Sequence, residues 1–315
     1  MPTKRASIDS WLRQSLTNDP PRSKSLIITI FGDSLLPYVS GIWLSDLITL
    51  LHPFRVNAQL ARTSAFRLAE EGWLQFHRVG RKSRYSLTDS GQQRMEHASQ
   101  RIYEAPPRAW DGNWTVVILN KSRSAAPDRT ELRRELEWEG FALVASGVFI
   151  HPRADRATLN DVLRRLNLTQ DVVVLHAHDL DGVSSRPVTR LAAECWNSDL
   201  VATHYIGFLK RFQSVPLLLE AKPDPQTAFV VQTLLIHSFR RVILHDPQLP
   251  AALLPRDWPG HAAYDLCRNI YRRTYLATRT HLAAHLDGAL DSPLVPAENF
   301  LNRLGGLAAA PRKKT

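Results

Sequence analysis

Apolar residues recur along this chain at two different spacings, and the places where the spacing changes divide it into regions. Ile8, Trp11, Leu12 and Leu16 follow Ser7 at helical spacing. They predict a short helical arm over 1–24, ended by "NDPPRSKS", whose paired prolines cannot continue a helix. Residues 25–104 read as helix, helix, helix, strand, strand, helix. Ser25 is placed to cap "LIITIFGD", and "WLSDLITLLHPF" is amphipathic and stops at Pro53. Asn57 caps "AQLARTSAFRLAEEG", with Gly72 at its end. "WLQFHRV" and "SRYSL" alternate around "GRKS" as a hairpin, and Thr88 or Asp89 caps a last helix to about Tyr103.

The period changes after a linker at 105–112. "WTVVIL", a helix through "PDRTELRRELEWEG", one or two strands in "FALVASGVFIHP", a helix through "DRATLNDVLRRLN" and the strand "DVVVLHAH" give the order β-α-β-(β)-α-β. This is a ferredoxin-like domain over 113–186. From 187 to 304 the pattern is amphipathic helix throughout, and 305–315 has no pattern. The fold class expected is therefore α+β and multidomain: a helix-and-hairpin N-terminal domain, a ferredoxin-like centre and an all-α C-terminal domain.

Composition narrows the function. The 315 residues carry a formal net charge of +10, which favours polyanionic partners. Between Arg55 and Arg84 stand seven basic residues against Glu70 and Glu71, a local charge of +5. The longest apolar stretch, at 141–150, is half of what a membrane span needs. No apolar run follows Lys4 and Arg5, and there are only two cysteines, Cys195 and Cys267. A soluble, cytoplasmic protein without a signal peptide is expected.

Winding the helix after Asn57 at 100° per residue puts Ala61, Ala65 and Leu68 on one inward seam. Gln59, Arg62, Thr63 and Phe66 or Arg67 share the other side. Short polar side chains around one arginine let a backbone approach base edges, where Arg62 can pair with guanine and Gln59 with adenine. Arg78, Arg81, Lys82 and Arg84 in the hairpin can grip phosphates or enter the minor groove. Cap, small polar front and basic hairpin in this order predict a winged helix-turn-helix that binds double-stranded DNA.

Other constellations weigh less. His176, His178 and Asp179, with His151 on a neighbouring strand, show no full ligand set, so no metal is expected. The cysteines read as small core residues. No phosphate loop, nucleophile elbow or carboxylate pair stands out, so neither an enzyme nor a cofactor is expected.

"DPPRSKSLIITIFGDSLLP", "ARTSAFRLAEEGWL" and "HDPQLPAALLPRDWPG" resemble the PaaX family, repressors of phenylacetic acid degradation in bacteria. The resemblance runs from about Trp11 to Leu304 and implies a homodimeric repressor of a catabolic operon. It also implies a Cas2-like middle domain and release from a pseudo-palindromic operator by phenylacetyl-coenzyme A. An acyl-coenzyme A needs cations for its phosphates and an apolar slot for its aryl group. Arg240, Arg241, Trp258, His261, Arg268 and Arg272 are the candidates. Two alternatives stand beside this reading: a related regulator answering another aromatic acyl-coenzyme A, and a metal-dependent nuclease built on the Cas2-like domain. Against the nuclease, "WTVVILN" ends in Asn120, an amide that adds no negative charge for a divalent cation, and Asp111 precedes the strand.

Overall fold

The computed structural model describes residues 7–104, 110–120, 126–180, 183, 185, 187–220, 222–286 and 302–306. The expected linker at 105–112 and tail at 305–315 fall largely outside these residues, as does the start of the N-terminal arm. Two compact units form. One joins Met1–Ala105, Gly207–Arg241 and His261–Thr315; the other joins Pro106–Ile206 and Val242–Gly260. The stretch 187–304, in which every regular element described is a helix, is thus divided between the two.

The first unit opens with α1 (Ile8–Asn18), capped by the Ser7 hydroxyl, which accepts from Ser10 N–H. The second helix, α2 (Ser23–Thr29), starts two residues before the expected cap. Ser25 instead lends its carbonyl to the Thr29 hydroxyl at 2.9 Å. A π-helical turn, Ile30–Leu35, follows, and its wider winding buries all six residues. A three-residue strand, β1 (Gly41–Trp43), precedes α3 (Leu44–Leu51) and a short 3-10 turn that contains Pro53. Next come α4 (Ala58–Glu70), β2 (Leu74–Val79), β3 (Lys82–Leu87) and α5 (Asp89–Tyr103), with Thr88 as the cap of α5. The sheet order is β1-β3-β2.

In the second unit β4 (Trp114–Leu119), α6 (Ala126–Trp138), β5 (Ala142–Ala145), β6 (Val148–His151), α7 (Arg156–Arg165) and β7 (Val172–Ala177) follow the expected order. The ambiguous segment resolves into the two strands β5 and β6. All pairs are antiparallel, in the order β5-β6-β4-β7 of a ferredoxin-like sheet. Period-two alternation sends Val117 and Leu119 to one face, where they meet Leu132 and Leu136 of α6 and Leu159, Val162 and Leu163 of α7. Trp114 and Ile150 face the other way, against Ala192, Leu249 and Leu253.

Helices α8 (Val188–Trp196), α9 (Ser198–Phe212), α10 (Val215–Leu218), α11 (Pro225–Ile243) and α12 (Pro259–His285) complete the chain, with a 3-10 turn at Arg303–Gly305. The proline-rich loop between α11 and α12 is pinned inside the second unit. The Tyr205 hydroxyl donates to Asp246 at 2.5 Å, and Trp258 meets the Tyr205 ring edge-on at 5.8 Å. In the first unit Phe229, Leu234, Leu235 and Phe239 of α11 are buried to 1% exposure or less. Each such side chain contributes about 1.5–3 kcal/mol of burial.

That core also sets an acid limit. His237 is 5% exposed, and its pKa is pushed down to about 4, first by burial and then by Arg240, Arg241 and Arg211, with Asp19 opposing. His281 falls to about 4 as well, by burial and then by His285. An unfolded histidine takes up its proton near 6.5, while these two refuse it until about 4. The stability they contribute is therefore complete above pH 6.5 and is lost as pH falls toward 4. Unfolding free energies from urea titrations between pH 7 and 4.5 should decline by on the order of 1 kcal/mol per pH unit. A flat profile would contradict the buried neutral rings.

Candidate nucleic-acid interface

The face of α4 is set by its cap and its seam. The Asn57 side chain accepts from Leu60 N–H at 2.8 Å, which fixes the helix start. Ala61 and Ala65 are fully buried and Leu68 is 2% exposed, so these small residues let α4 lie close to α2. Ser64, also inward, shares a 2.7 Å hydrogen bond with the Ser23 hydroxyl. The remaining arc carries Gln59, Arg62 and Arg67, all exposed, and Thr63, half-buried. The Thr63 hydroxyl donates back to the Gln59 carbonyl at 3.0 Å. Two apolar residues share this arc: Leu60 is 45% and Phe66 50% exposed.

The hairpin stands beside this helix in the sequence and ends in a two-residue turn, Gly80–Arg81, since Val79 pairs with Lys82. Gly80 takes φ 61°, the left-handed conformation that such tight turns demand of their first central residue. Arg78, Arg81 and Lys82 are exposed at this end. Arg84 is half-buried within β3, opposite His77 on β2 and Trp43 on β1, rather than in the turn. Lys82 Nζ lies 5.9 Å from the centre of the Trp43 ring. Lys24 takes up Glu71, one of the two carboxylates of this stretch. Among the described residues no carboxylate lies within ion-pair distance of Arg62, Arg67, Arg78, Arg81 or Lys82, so their charge faces outward uncompensated.

Sequence reasoning did not find Leu60 or β1. A three-residue strand is too short to show alternation, and Leu60 carries no signal that separates it from the seam until the helix is packed. The six effector candidates do not come together on one described cavity. Arg240 Nη1 is held by the Thr29 hydroxyl at 3.2 Å, and Arg241 lies 3.7 Å from Asp19. Arg268 pairs with Asp265 at 2.8 Å, and Arg272 donates to the carbonyls of Gly305 and Gly306 at 3.0 and 2.9 Å. His261 is exposed, and Trp258 belongs to the second unit, 8% exposed. A groove of about 410 Å³ is lined by Leu12, Arg13, Leu16, Pro53, Arg55 and neighbours, none of them among the six.

In the second unit His151 and His176 flank Thr115 on opposite sides of β4, so two strand spacings, about 10 Å, separate their backbones. His151 Nδ1 already accepts from Arg153 N–H at 2.9 Å. Among the described residues no three His, Cys, Asp or Glu side chains gather as cation ligands. Asn120 directly follows β4, and Asp111 is engaged by Asn113. Cys267 is buried and Cys195 partly so, both free thiols. No helix among the described residues is long and apolar enough to cross a membrane.

Three family models cover most of the chain in order. A PaaX-like protein model matches residues 22–91, the PaaX central Cas2-like domain 107–188, and the PaaX-like C-terminal domain 196–284. The transcriptional repressor PaaX of Escherichia coli K12 is 34% identical over 308 residues, 96% of either chain. An uncharacterised Mycobacterium tuberculosis protein, Rv0674, superposes with a TM-score of 0.51 at 25% identity, over 82% of this chain and 99% of that one. These matches define a transcriptional repressor with a Cas2-like centre. The chain belongs to the PaaX family.

Proposed function

We propose that the chain is a winged-helix repressor that binds a pseudo-palindromic operator of a phenylacetate catabolic operon as a homodimer and is released by phenylacetyl-coenzyme A. In this reading α2, α3 and α4 form the helical module, α4 enters the major groove, and the β2–β3 hairpin is the wing. Arg62 pairs with guanine and Gln59 with adenine, while Thr63 offers its methyl to thymine. Arg67, Arg78, Arg81, Lys82 and Arg84 hold phosphates or the minor-groove edge. The observation that carries the reading is the division of α4. Its small residues are sunk in the core, while Gln59, Arg62 and Arg67 stand outward, and the hairpin that follows carries exposed cations.

The dimer is supported by β7, the edge of the second unit's sheet. Val173, Val174 and Leu175 are 44–55% exposed there, an apolar edge that a second copy can cover. For the effector the support is the family alone, with Arg240, Arg241, Trp258, His261, Arg268 and Arg272 kept as candidates. No observation favours catalysis, and a cytoplasmic location follows from the repressor role.

Mobility shifts on the promoter region beside the gene test this directly. Two chains per operator are expected, and phenylacetyl-coenzyme A should dissociate the complex. Release by a different acyl-coenzyme A ester alone would reassign the effector. No preference for promoter over random DNA would overturn the function.

A further inference from the structure

Asp33, in the π-helical turn of the first unit, gathers several donors around a side chain only 1% exposed. Oδ1 accepts from the Tyr103 hydroxyl at 2.6 Å and the Tyr271 hydroxyl at 2.9 Å, and Oδ2 from Gln232 Nε2 at 2.9 Å. Gln232 is itself fixed by the Thr274 hydroxyl at 3.2 Å. Burial holds both tyrosine pKa values well above their ordinary range, so both remain donors. Three donors already satisfy this carboxylate.

A guanidinium nevertheless arrives from the far end of the chain. Arg303, 5% exposed, donates through Nη1 to the Asp33 carbonyl at 3.2 Å and through Nη2 to the Gly32 carbonyl at 3.0 Å. Its Nη1 lies 3.4 Å from Asp33 Oδ1, and its Cζ sits 3.8 Å from the centre of the Tyr103 ring. Carboxylate, two carbonyls and an aromatic face are the complete recognition set for an arginine. The turn that brings it is seated from both sides. Leu304 is fully buried, and Arg272 holds the carbonyls of Gly305 and Gly306.

The walls of this cage belong to the elements that carry the candidate DNA surface. Tyr103 is the last residue of α5. Gly32 lies so close to α5 that a Cβ on it would fall 2.3 Å from Met95 Sδ. At its other end α5 is capped by Thr88, whose hydroxyl also donates to the Gly72 carbonyl, just past α4, at 2.6 Å. The π-turn continues directly from α2, which is tied to α4 through Ser23 and Ser64.

We propose that the C-terminal turn 302–306 is a docking segment and that Arg303, seated in the Asp33 cage, is a positioning residue for the α4 and hairpin surface. The inference rests on the reading of that surface as a DNA reader. Arg303 touches no nucleic acid in this scheme. It fixes α5 and the π-turn, and through them the angle between α4 and the hairpin.

The test uses the full chain with Arg303→Gln, Arg303→Lys and Arg272→Ala, the last loosening the turn without leaving a buried charge unpaired. Operator and random-DNA affinities are measured well below each variant's melting temperature, together with hydrogen exchange along α4, the hairpin and α5. Arg303→Gln should weaken operator binding at least tenfold and raise exchange in α5 and the hairpin, with random-DNA binding reduced far less. Arg303→Lys should fall between it and the parent, and Arg272→Ala should move in the same direction. If Arg303→Gln does not fold, Arg272→Ala decides alone. Operator affinity within twofold of the parent, with unchanged exchange at the hairpin, overturns the proposal and leaves Arg303 a stabiliser only. Should the parent bind no operator, the DNA reading fails separately, and the exchange response still judges the tie.

Discussion

Asp33→Ala is expected to lower the unfolding free energy by about 3–5 kcal/mol, the usual cost of stripping one partner from a buried ion pair. The substitution leaves the Arg303 guanidinium buried without its carboxylate. It also removes the acceptor of Tyr103, Tyr271 and Gln232, each of which then carries an unsatisfied donor in the core. Burial alone would depress the Arg303 pKa; the cage around it holds it above its ordinary value, so the cation depends on these partners. Equilibrium urea unfolding of parent and variant measures the difference. Pairing the change with Arg303→Met should recover part of the loss, because two apolar groups need no partners. A loss below about 1 kcal/mol would mean that the pair is not buried in solution.

Arg62→Ala is expected to weaken operator binding by about 1–3 kcal/mol and to relax preference at one base pair, as loss of a bidentate arginine–guanine contact does. Arg62 is exposed, and no described carboxylate competes for it, so the free protein should keep its fold. The Lys82→Ala variant is the control. Its ammonium lies at the hairpin end beside Trp43, and in the proposed reading it meets the backbone, so its loss should weaken all sequences alike. It should make the slope of log K against log salt shallower by about one unit. Fluorescence anisotropy on operator and scrambled DNA at several salt concentrations separates the two. Equal loss on both DNAs in the Arg62 variant would remove it as a base reader.

Much of the candidate surface was legible because helical winding is rigid. Once Asn57 caps α4, the 100° step alone assigns Ala61, Ala65 and Leu68 to the core and Gln59, Arg62 and Arg67 to the outside. The hairpin was legible from alternation, although its turn closes earlier than the basic run suggests, which draws Arg84 into the sheet beside β1. The effector candidates fared differently. Their contacts were not legible: Arg240 meets Thr29 and Arg272 the C-terminal turn, both far along the chain, while Arg268 meets Asp265.

By itself the sequence determined the longer helices and strands, the ferredoxin-like succession of the central elements, the polarity of α4 and the concentration of positive charge between Arg55 and Arg84. Those features depend on neighbours a few residues apart, whose spacing is fixed by backbone geometry. Only the tertiary structure decided that Asp33 and Arg303 meet, 270 positions apart, and that 187–304 is divided between two units. Such contacts are chosen by how faces fit once the chain has collapsed, and local periodicity carries no record of that choice.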